Sequence, residues 1–332
     1  MQPVLHFLKP VFLHVPDGLL SLPVAVLCWI LSAVLVLVAV RRSKGELGER
    51  QVPLMGVMAA FIFAAQMINF PVAGGTSGHL LGGALAAITL GPWAAMLVMT
   101  SVIIVQALLF QDGGLVVMGA NILNMGLLTV LLSYGLYRAT AGRSRGVRLG
   151  VAGLAAWLSV MAAALATALQ LWLSGTARLD IVVPAMLFVH ALIGIGEALI
   201  TVAALAFILR TRPDLVEAHA PSGAPAGRGG KGWIVVGLLL SLAVVALAPL
   251  ASADPDGLER VAHNLGFLDL GREAPYNLLP DYTVPFLGET PLSTVLAGAL
   301  GALGVAALVV LVMRMLRRSD RDLQTESETR NY

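Results

Sequence analysis

The sequence predicts an all-α polytopic membrane protein, built from a seven-span module and a two-span helical hairpin that carries a large outer loop. Its 332 residues are 58% apolar and only 12% charged, whereas a soluble domain carries about 25% charged residues. So few charges cannot cover a water-soluble globule of this size, and a lipid bilayer is the solvent that suits such a chain. The remaining charges fall between long apolar runs, which is typical of helices that cross a membrane.

The apolar runs predict nine spans. A helix needs about 20 mostly apolar residues to cross the hydrocarbon core of a bilayer. Eight runs of this kind lie near 20–40, 53–70, 92–110, 116–137, 149–173, 183–209, 233–251 and 292–316. A ninth and shorter run, 79–91, is rich in Gly and Ala, as packed membrane helices often are, and we predict a short or tilted span there.

The placement of basic residues predicts the orientation. With nine spans and an outside N-terminus, almost all of the 21 Lys and Arg residues lie on the cytoplasmic side. The four that fall outside are Lys9, Arg178, Arg260 and Arg272. If 79–91 did not cross, this bias would break in the middle of the chain. The positive-inside rule therefore favours an outside N-terminus and a cytoplasmic C-terminus.

Composition also divides the chain into two modules. Residues 211–232 are rich in Pro, Gly, Ala and Ser, which predicts a flexible cytoplasmic linker between modules 1–210 and 233–332. The second module holds the outer loop, 252–291, whose acids and prolines suit an ordered but solvated excursion. The lone cysteine, Cys28, lies in an apolar run, so neither an internal disulfide nor a thiolate pair for a metal is available.

Two histidines lie where spans begin on the outer face. His14 precedes the first span, and we expect Asp17 to cap that helix. His79 follows a Gly-rich loop that begins at Asn69, and Ser77 or Thr76 would cap the next helix and place His79 in its first turn. A phosphate-binding interpretation of this loop is weak, because no Lys follows the glycines and no strand precedes them. Each histidine could instead be a plain helix-start residue.

The predicted topology places His14 and His79 on one face, within reach of each other if spans one and three pack together. Neutral imidazole suits Ni, Cu, Co and Zn, and the absence of thiolate partners argues against a soft Cu(I) site. Two histidines alone supply too few ligands for a metal site. The other ligands must come from backbone nitrogen, a terminal amine, water or another side chain.

Several polar residues inside or beside the spans could support such a site or couple it to transport. His190 and Glu197 are seven residues apart in the seventh span and share one helical face. An intramembrane carboxylate is costly and usually faces protein or water, so Glu197 is either an interhelical hydrogen-bonding group or a coupling group. The full set of supporting or coupling candidates is Asp17, Asn69, Ser77, Gln106, Asn121, Asn124, His190 and Glu197. In the outer loop, Asp256, Glu259 and His263 could collect cations, although solvated loop charge is the more common explanation of such residues.

Four motifs resemble the CbiM/NikM family, the substrate-specific membrane components of cobalt and nickel energy-coupling factor transporters. They are HVPDGLL at 14–20, NFPVAGGTSGHLLGGALAAITLGPWAA at 69–95, VQALLFQDGG at 105–114 and GANILNMG at 119–126. The PDGLE motif at 255–259 resembles the small accessory subunit CbiN or NikN, here fused into the same chain. The resemblance covers nearly the whole chain and implies a fused, NikMN-like subunit.

The resemblance also implies a ligand set. In that family the transported Ni²⁺ or Co²⁺ lies in a square-planar nitrogen site formed by the terminal amine, the backbone nitrogen and imidazole of a second-position histidine, and the loop histidine. The two histidines correspond to His14 and His79, and Leu13 supplies the amine only if the chain starts there. Leucine codons that initiate as methionine would allow that start. Otherwise the extension is real and another donor replaces the amine, with His6 the nearest nitrogen candidate.

The same resemblance implies partners and a location. A CbiO/NikO-like ATPase and a CbiQ/NikQ-like coupling subunit would power import across a bacterial inner membrane, and the outer loop would help load the metal. No organic cofactor and no nucleic acid partner are implied. Two other functions stay open: an intramembrane metalloenzyme with Glu197 as general base, and a stand-alone metal channel or permease. The metalloenzyme is disfavoured because no HExxH motif occurs.

Overall fold

The computed structural model describes residues 14–43, 48, 50–213, 216 and 232–329. Two predictions therefore concern residues outside the described ranges. They are the nitrogen donor at Leu13 or His6, and most of the linker 211–232. The helices are α1 (Leu22–Ser43), α2 (Gln51–Gln66), α3 (Gly83–Leu90), α4 (Pro92–Val105), α5 (Met118–Asn121), α6 (Thr129–Arg138), α7 (Arg145–Leu173), α8 (Leu179–Thr211), α9 (Gly232–Val245), α10 (Gly257–Leu265) and α11 (Pro291–Thr329). A small antiparallel hairpin joins β1 (Phe70–Val72) to β2 (Thr76–Gly78).

The all-α polytopic architecture is confirmed. Within the described part of the chain, seven helical segments are long and apolar enough to cross a membrane. Two of them contain π-helical stretches: α4 continues to Phe110, and α5 and α6 join into one helix, 118–138. Helix α2 is also apolar but has only 16 residues.

The ninth predicted span is only partly helical. Helix α3 has eight residues, all buried, and at 1.5 Å per residue it covers about 12 Å of a hydrocarbon core roughly 30 Å thick. The preceding residues 79–82 are irregular. The Arg42 guanidinium lies over the Trp93 ring at 6.0 Å, so α4 starts beside the end of α1. The segment 79–90 therefore crosses the bundle as an irregular stretch followed by a short helix. Such backbone is tolerated at membrane depth only where protein surrounds it.

The two-span hairpin packs directly against the first module. Helices α9 and α11 both lie against α2. Small residues allow this close approach: a Cβ added to Gly56 of α2 would lie 2.6 Å from Val310 Cγ2, and one added to Gly298 of α11 would lie 2.7 Å from Met67 Cε. Glycine contacts of this kind are typical of membrane helices, where the apolar lipid leaves packing as the main attraction between helices.

The outer loop is ordered and exposes many of its residues, as predicted, but it is also tied to the first module. Its main chain is hydrogen-bonded to the first module at four places, by Ser252 N to Asn69 O (2.8 Å), Ser77 N to Pro255 O (2.8 Å), Arg272 N to Asp17 O (2.7 Å) and Leu279 N to Leu109 O (3.0 Å). Some of its acids and prolines form turns and the cap of α10, and others, such as Glu273 and Pro275, are exposed. The loop therefore lies across one end of the bundle, opposite the end where Arg42 meets Trp93.

Candidate metal centre

His14 and His79 converge beneath the outer loop. Their ring centroids are 5.7 Å apart and the ring planes are inclined by 63°. Both are buried, with 2% and 8% of their surface exposed. His14 lies in the irregular segment before α1, and His79 lies between β2 and α3. The structure thus brings together the two histidines that the sequence predicts as a pair.

The His14 ring is held by the loop that follows α4. Its Nδ1 lies 3.1 Å from the main-chain oxygen of Asp112 and 3.7 Å from the carboxylate Oδ1 of the same residue. Its Nε2 is buried and has no hydrogen-bond partner among the described residues. A carbonyl that accepts from one ring nitrogen fixes the tautomer and leaves the other nitrogen as a ligand.

Asp112 is a supporting residue that the sequence interpretation did not single out, although it lies in the quoted QDGG motif. The neighbouring Gly113 has a φ of 97°, and a Cβ there would lie 2.9 Å from His14 Cβ. Glycine is required for both the backbone conformation and this close approach. The glycines were thus a signal that this loop passes tightly against another segment.

The expected helix caps around the two histidines are wrong. Helix α1 begins only at Leu22, and the Asp17 carboxylate instead accepts from the main-chain N–H groups of Leu115, Val116 and Val117 at 2.9–3.1 Å. Asp17 therefore orders the loop beside His14 rather than its own helix.

Ser77 also fails to cap a helix, because it lies in β2. Its hydroxyl donates to the main-chain oxygen of Asp254 in the outer loop (2.7 Å), and Thr76 Oγ1 accepts from Arg260 (3.3 Å). His79 lies before the first turn of α3, where its Nδ1 is 3.1 Å from Leu80 O. Gly74 and Gly75, in the tip of the hairpin, have positive φ values.

Glu197 provides the missing cap for α3. Its carboxylate accepts from Leu81 N (2.6 Å) and Gly82 N (3.0 Å), and the residue is fully buried. A helix N-terminus has unpaired N–H groups and a partial positive charge, so a carboxylate is a favourable partner. Glu197 therefore holds the irregular segment that carries His79. Both carboxylate oxygens are occupied by this role.

His190 and the two asparagines line the same cavity. His190 Nδ1 lies 2.7 Å from Met186 O. Asn121 accepts from Val15 N (3.1 Å) and donates to Val15 O (3.0 Å), which fixes the main chain next to His14. Asn124 forms interhelical hydrogen bonds with Gln170 (2.8 Å in both directions).

The remaining supporting candidates lie farther from the histidines. Gln106 is buried beside Tyr282. Asn69 is buried and accepts from Ser252 through its main-chain oxygen. Neither residue lines the cavity.

The cavity between these residues has a volume of about 70 Å³. Its polar lining includes His14, His79, Asn121, Asn124, His190 and Asp256, and most of the remainder is apolar. One water needs roughly 10–15 Å³ of such space, so the cavity can hold a metal ion with a few further ligands. Among the described residues, no three His, Cys, Asp or Glu side chains converge as a metal cluster. Donors besides the imidazoles would complete a site here.

Of the three loading candidates in the outer loop, only Asp256 reaches the cavity. Its carboxylate caps α10 by accepting from Glu259 N (2.7 Å), and burial raises its pKa well above the usual range. Glu259 is half-buried, and burial raises the pKa of its carboxyl as well. His263 lies exposed on α10 and does not line the cavity.

Comparison with known proteins identifies two family regions. The family described as the cobalt uptake substrate-specific transmembrane region, CbiM, matches residues 14–215. A PDGLE domain matches residues 231–318. The first match covers the two histidines and the cavity-lining helices, and the second covers the outer loop with α9 and α11.

Similar proteins are named as transport proteins. A protein of Archaeoglobus fulgidus, provisionally named a fused nickel transport protein NikMN, is 36% identical over 299 residues, which cover 87% of this chain and 94% of that protein. The fused nickel transport protein NikMN of Rhodobacter capsulatus is 31% identical over 328 residues, with coverage of 87% and 94%. A crystal structure of a transition metal transporter is similar with a TM-score of 0.54 and 30% identity, covering 62% of this chain and 98% of that chain.

These matches extend through both parts of the chain and agree with its multi-pass membrane architecture. The chain is therefore a membrane component of nickel or cobalt transport and belongs to the CbiM family of substrate-specific transmembrane proteins, fused here to a PDGLE domain.

Proposed function

We propose that this chain captures Ni²⁺ or Co²⁺ at the outer face of a bacterial inner membrane and delivers it to an ATP-driven energy-coupling factor transporter for import. The observation that carries this proposal is the pair of buried imidazoles, His14 and His79, at one small cavity. Imidazole nitrogen suits both metals. The metal is the transported substrate, so the step at this site is binding and release.

The orientation follows from the charges at the two ends. Arg42, Arg138, Arg148 and Arg212 lie at helix ends on the side away from the histidines, and the positive-inside rule makes that side cytoplasmic. The histidines and the outer loop then face outside, where a metal to be imported is met. The C-terminus is cytoplasmic in this arrangement.

The partners are a CbiO/NikO-like ATPase and a CbiQ/NikQ-like coupling membrane subunit. We expect cells that express all three proteins to accumulate radioactive ⁶³Ni or ⁵⁷Co, and we expect an ATPase variant without hydrolysis to reduce uptake to background. The control is a membrane fraction showing equal amounts of this chain. Uptake that persists with the inactive ATPase would identify a stand-alone permease instead.

The ligand set depends on the first residue of the mature chain. We propose that translation starts at codon 13, so that a Met amine precedes His14 and completes the nitrogen site. The family match that begins at residue 14 supports this start. N-terminal sequencing of the purified protein is expected to give Met-His-Val-Pro-Asp-Gly. A chain that begins Met-Gln-Pro-Val would contradict it and make His6 the donor to test.

The competing metalloenzyme function is less well supported. It assigns Glu197 as general base, but both oxygens of that carboxylate accept from the main chain at Leu81 and Gly82. A general base must lie within hydrogen-bond reach of the proton that it removes. Glu197 is instead placed as a structural acceptor.

A further inference from the structure

Three buried residues connect the outer loop to His14, through the side chain of Tyr282 and then the side chain and main chain of Asp112. The Tyr282 hydroxyl donates to Asp112 Oδ2 at 2.6 Å, and the main-chain oxygen of Asp112 accepts from His14 Nδ1 at 3.1 Å. Tyr282 belongs to the region that matches the PDGLE domain, whereas Asp112 and His14 belong to the CbiM region. The second module is thus connected, through Asp112, to the ring nitrogen of His14 that is not available to the metal, and His14 is a proposed metal ligand of the first module.

The backbone at this contact is held in an unfavourable conformation on both sides. Among the described residues, three non-glycine residues have a positive φ: Gln111 at 55°, Asp281 at 49° and Tyr282 at 56°. One of the three is Tyr282 itself. Asp281 is the residue before Tyr282, and Gln111 is the residue before Asp112. A non-glycine residue in the left-handed region is uncommon, a bulky one such as Tyr282 especially so, and each is held there at a cost in free energy. The surrounding structure therefore over-determines this contact.

Aromatic packing fixes the direction of the hydroxyl. The Tyr282 ring stacks on Phe110, with centroids 4.8 Å apart and an angle of 19° between planes. It also meets Phe63 edge-on at 6.0 Å. Burial, followed by the charge of Asp112, raises the Tyr282 pKa well above its usual range, so the phenol remains a donor.

A second tyrosine of the outer loop offers a matched comparison. The Tyr276 hydroxyl donates to Leu108 O at 3.0 Å, so it also ties the outer loop to the end of α4. Tyr276 is half-buried and has no hydrogen bond to Asp112 or His14. It therefore represents loop docking without a connection to the histidine.

We propose that Tyr282 is a positioning residue for His14 and acts through Asp112, so that the fused PDGLE module helps to set the geometry of the metal site. The inference rests on the proposed metal site. Partners that orient a ligating histidine are typically worth 10- to 100-fold in metal affinity. Tyr282 carries out this orientation from a different module than the ligand.

The test uses the purified full-length chain in lipid nanodiscs and Ni²⁺ alone as the probe. Tyr282→Phe removes only the hydroxyl and keeps the ring on Phe110. We expect it to weaken Ni²⁺ affinity by roughly 10- to 100-fold and to shift the visible d–d absorption of bound Ni²⁺. Tyr276→Phe is expected to leave both affinity and spectrum as in wild type.

A double-mutant cycle separates positioning from simple loop docking. If Tyr282 acts through the Asp112 carboxylate, Tyr282→Phe has no further effect on affinity once Asp112→Ala has removed the acceptor of its hydroxyl, because the two changes break one pathway. Additive losses, or equal losses for both tyrosine variants, would mean that loop docking alone matters. Wild-type affinity and spectrum for Tyr282→Phe would overturn this inference while leaving the proposed function standing. A wild-type chain that binds no Ni²⁺ would overturn the proposed function itself, and this inference with it.

Discussion

His79→Ala is expected to abolish Ni²⁺ and Co²⁺ uptake while leaving the protein in the membrane. His79 is one of the two buried imidazoles at the cavity. Loss of a group that merely orients a ligand costs about 10- to 100-fold in affinity, so loss of the ligand itself should exceed this range. Radioactive uptake and Ni²⁺ affinity of the purified variant measure the effect. The fold should persist, because His79 lies outside the helices.

The comparison for this variant is another histidine-to-alanine change. His263 is exposed on α10 and does not line the cavity, so His263→Ala should retain wild-type uptake. Loss of uptake in His263→Ala would return that residue to the set of loading groups. Unchanged uptake in His79→Ala would remove His79 from the metal site.

Glu197→Ala is expected to destabilise the protein and also to weaken metal binding. The change leaves the buried N–H groups of Leu81 and Gly82 without their acceptor, and each unsatisfied buried group costs about 1–3 kcal/mol. The irregular segment that carries His79 then loses its main attachment. We expect a lower Tm and a lower Ni²⁺ affinity. Glu197→Gln should be intermediate, since an amide has only one oxygen acceptor.

Asp180→Asn is the control variant, because Asp180 is another acidic residue on the same helix, α8. Asp180 is exposed and pairs with the exposed Arg178 at 2.7 Å, and surface ion pairs contribute little to stability. Its Tm and Ni²⁺ affinity should match those of wild type. If Glu197→Ala also matched wild type in both measurements, the capping role of Glu197 would be wrong.

Long-range composition predicted the fold well, because the bilayer imposes it. Within a bilayer, about twenty consecutive apolar residues favour a spanning helix, because a helix satisfies its own main-chain hydrogen bonds. The ninth span shows the limit of this argument. Hydropathy at 79–91 does not reveal which residues are helical, since the polar main chain of the irregular part is satisfied by Glu197, more than a hundred positions away.

For the candidate site, the two histidines and several cavity-lining residues could be predicted, but the hydrogen-bond partners of the supporting residues could not. His14 and His79 follow from topology and motif, whereas the partners of Asp17 and Ser77 were wrongly sought in their own helices. Capping patterns describe local hydrogen bonds, and both residues instead bond to segments distant in sequence. Asp112 and Tyr282 carry no periodic signal, because both lie in irregular loops. Only their contact in three dimensions connects them to His14.

The short segment 79–90, which is irregular before it becomes helix α3, has a mechanical consequence. The backbone of a residue inside a continuous helix moves only if the whole helix moves or if its i to i−4 main-chain hydrogen bonds break. His79 lies on four residues, 79–82, that come before the ladder of α3, and Gly82 at their end has a φ of 80°. Rearrangement of this stretch can displace the imidazole while α3 and α4 keep their own hydrogen bonds. If His79 binds the metal as proposed, a local change in this stretch would move the ligand while the surrounding helices stay fixed.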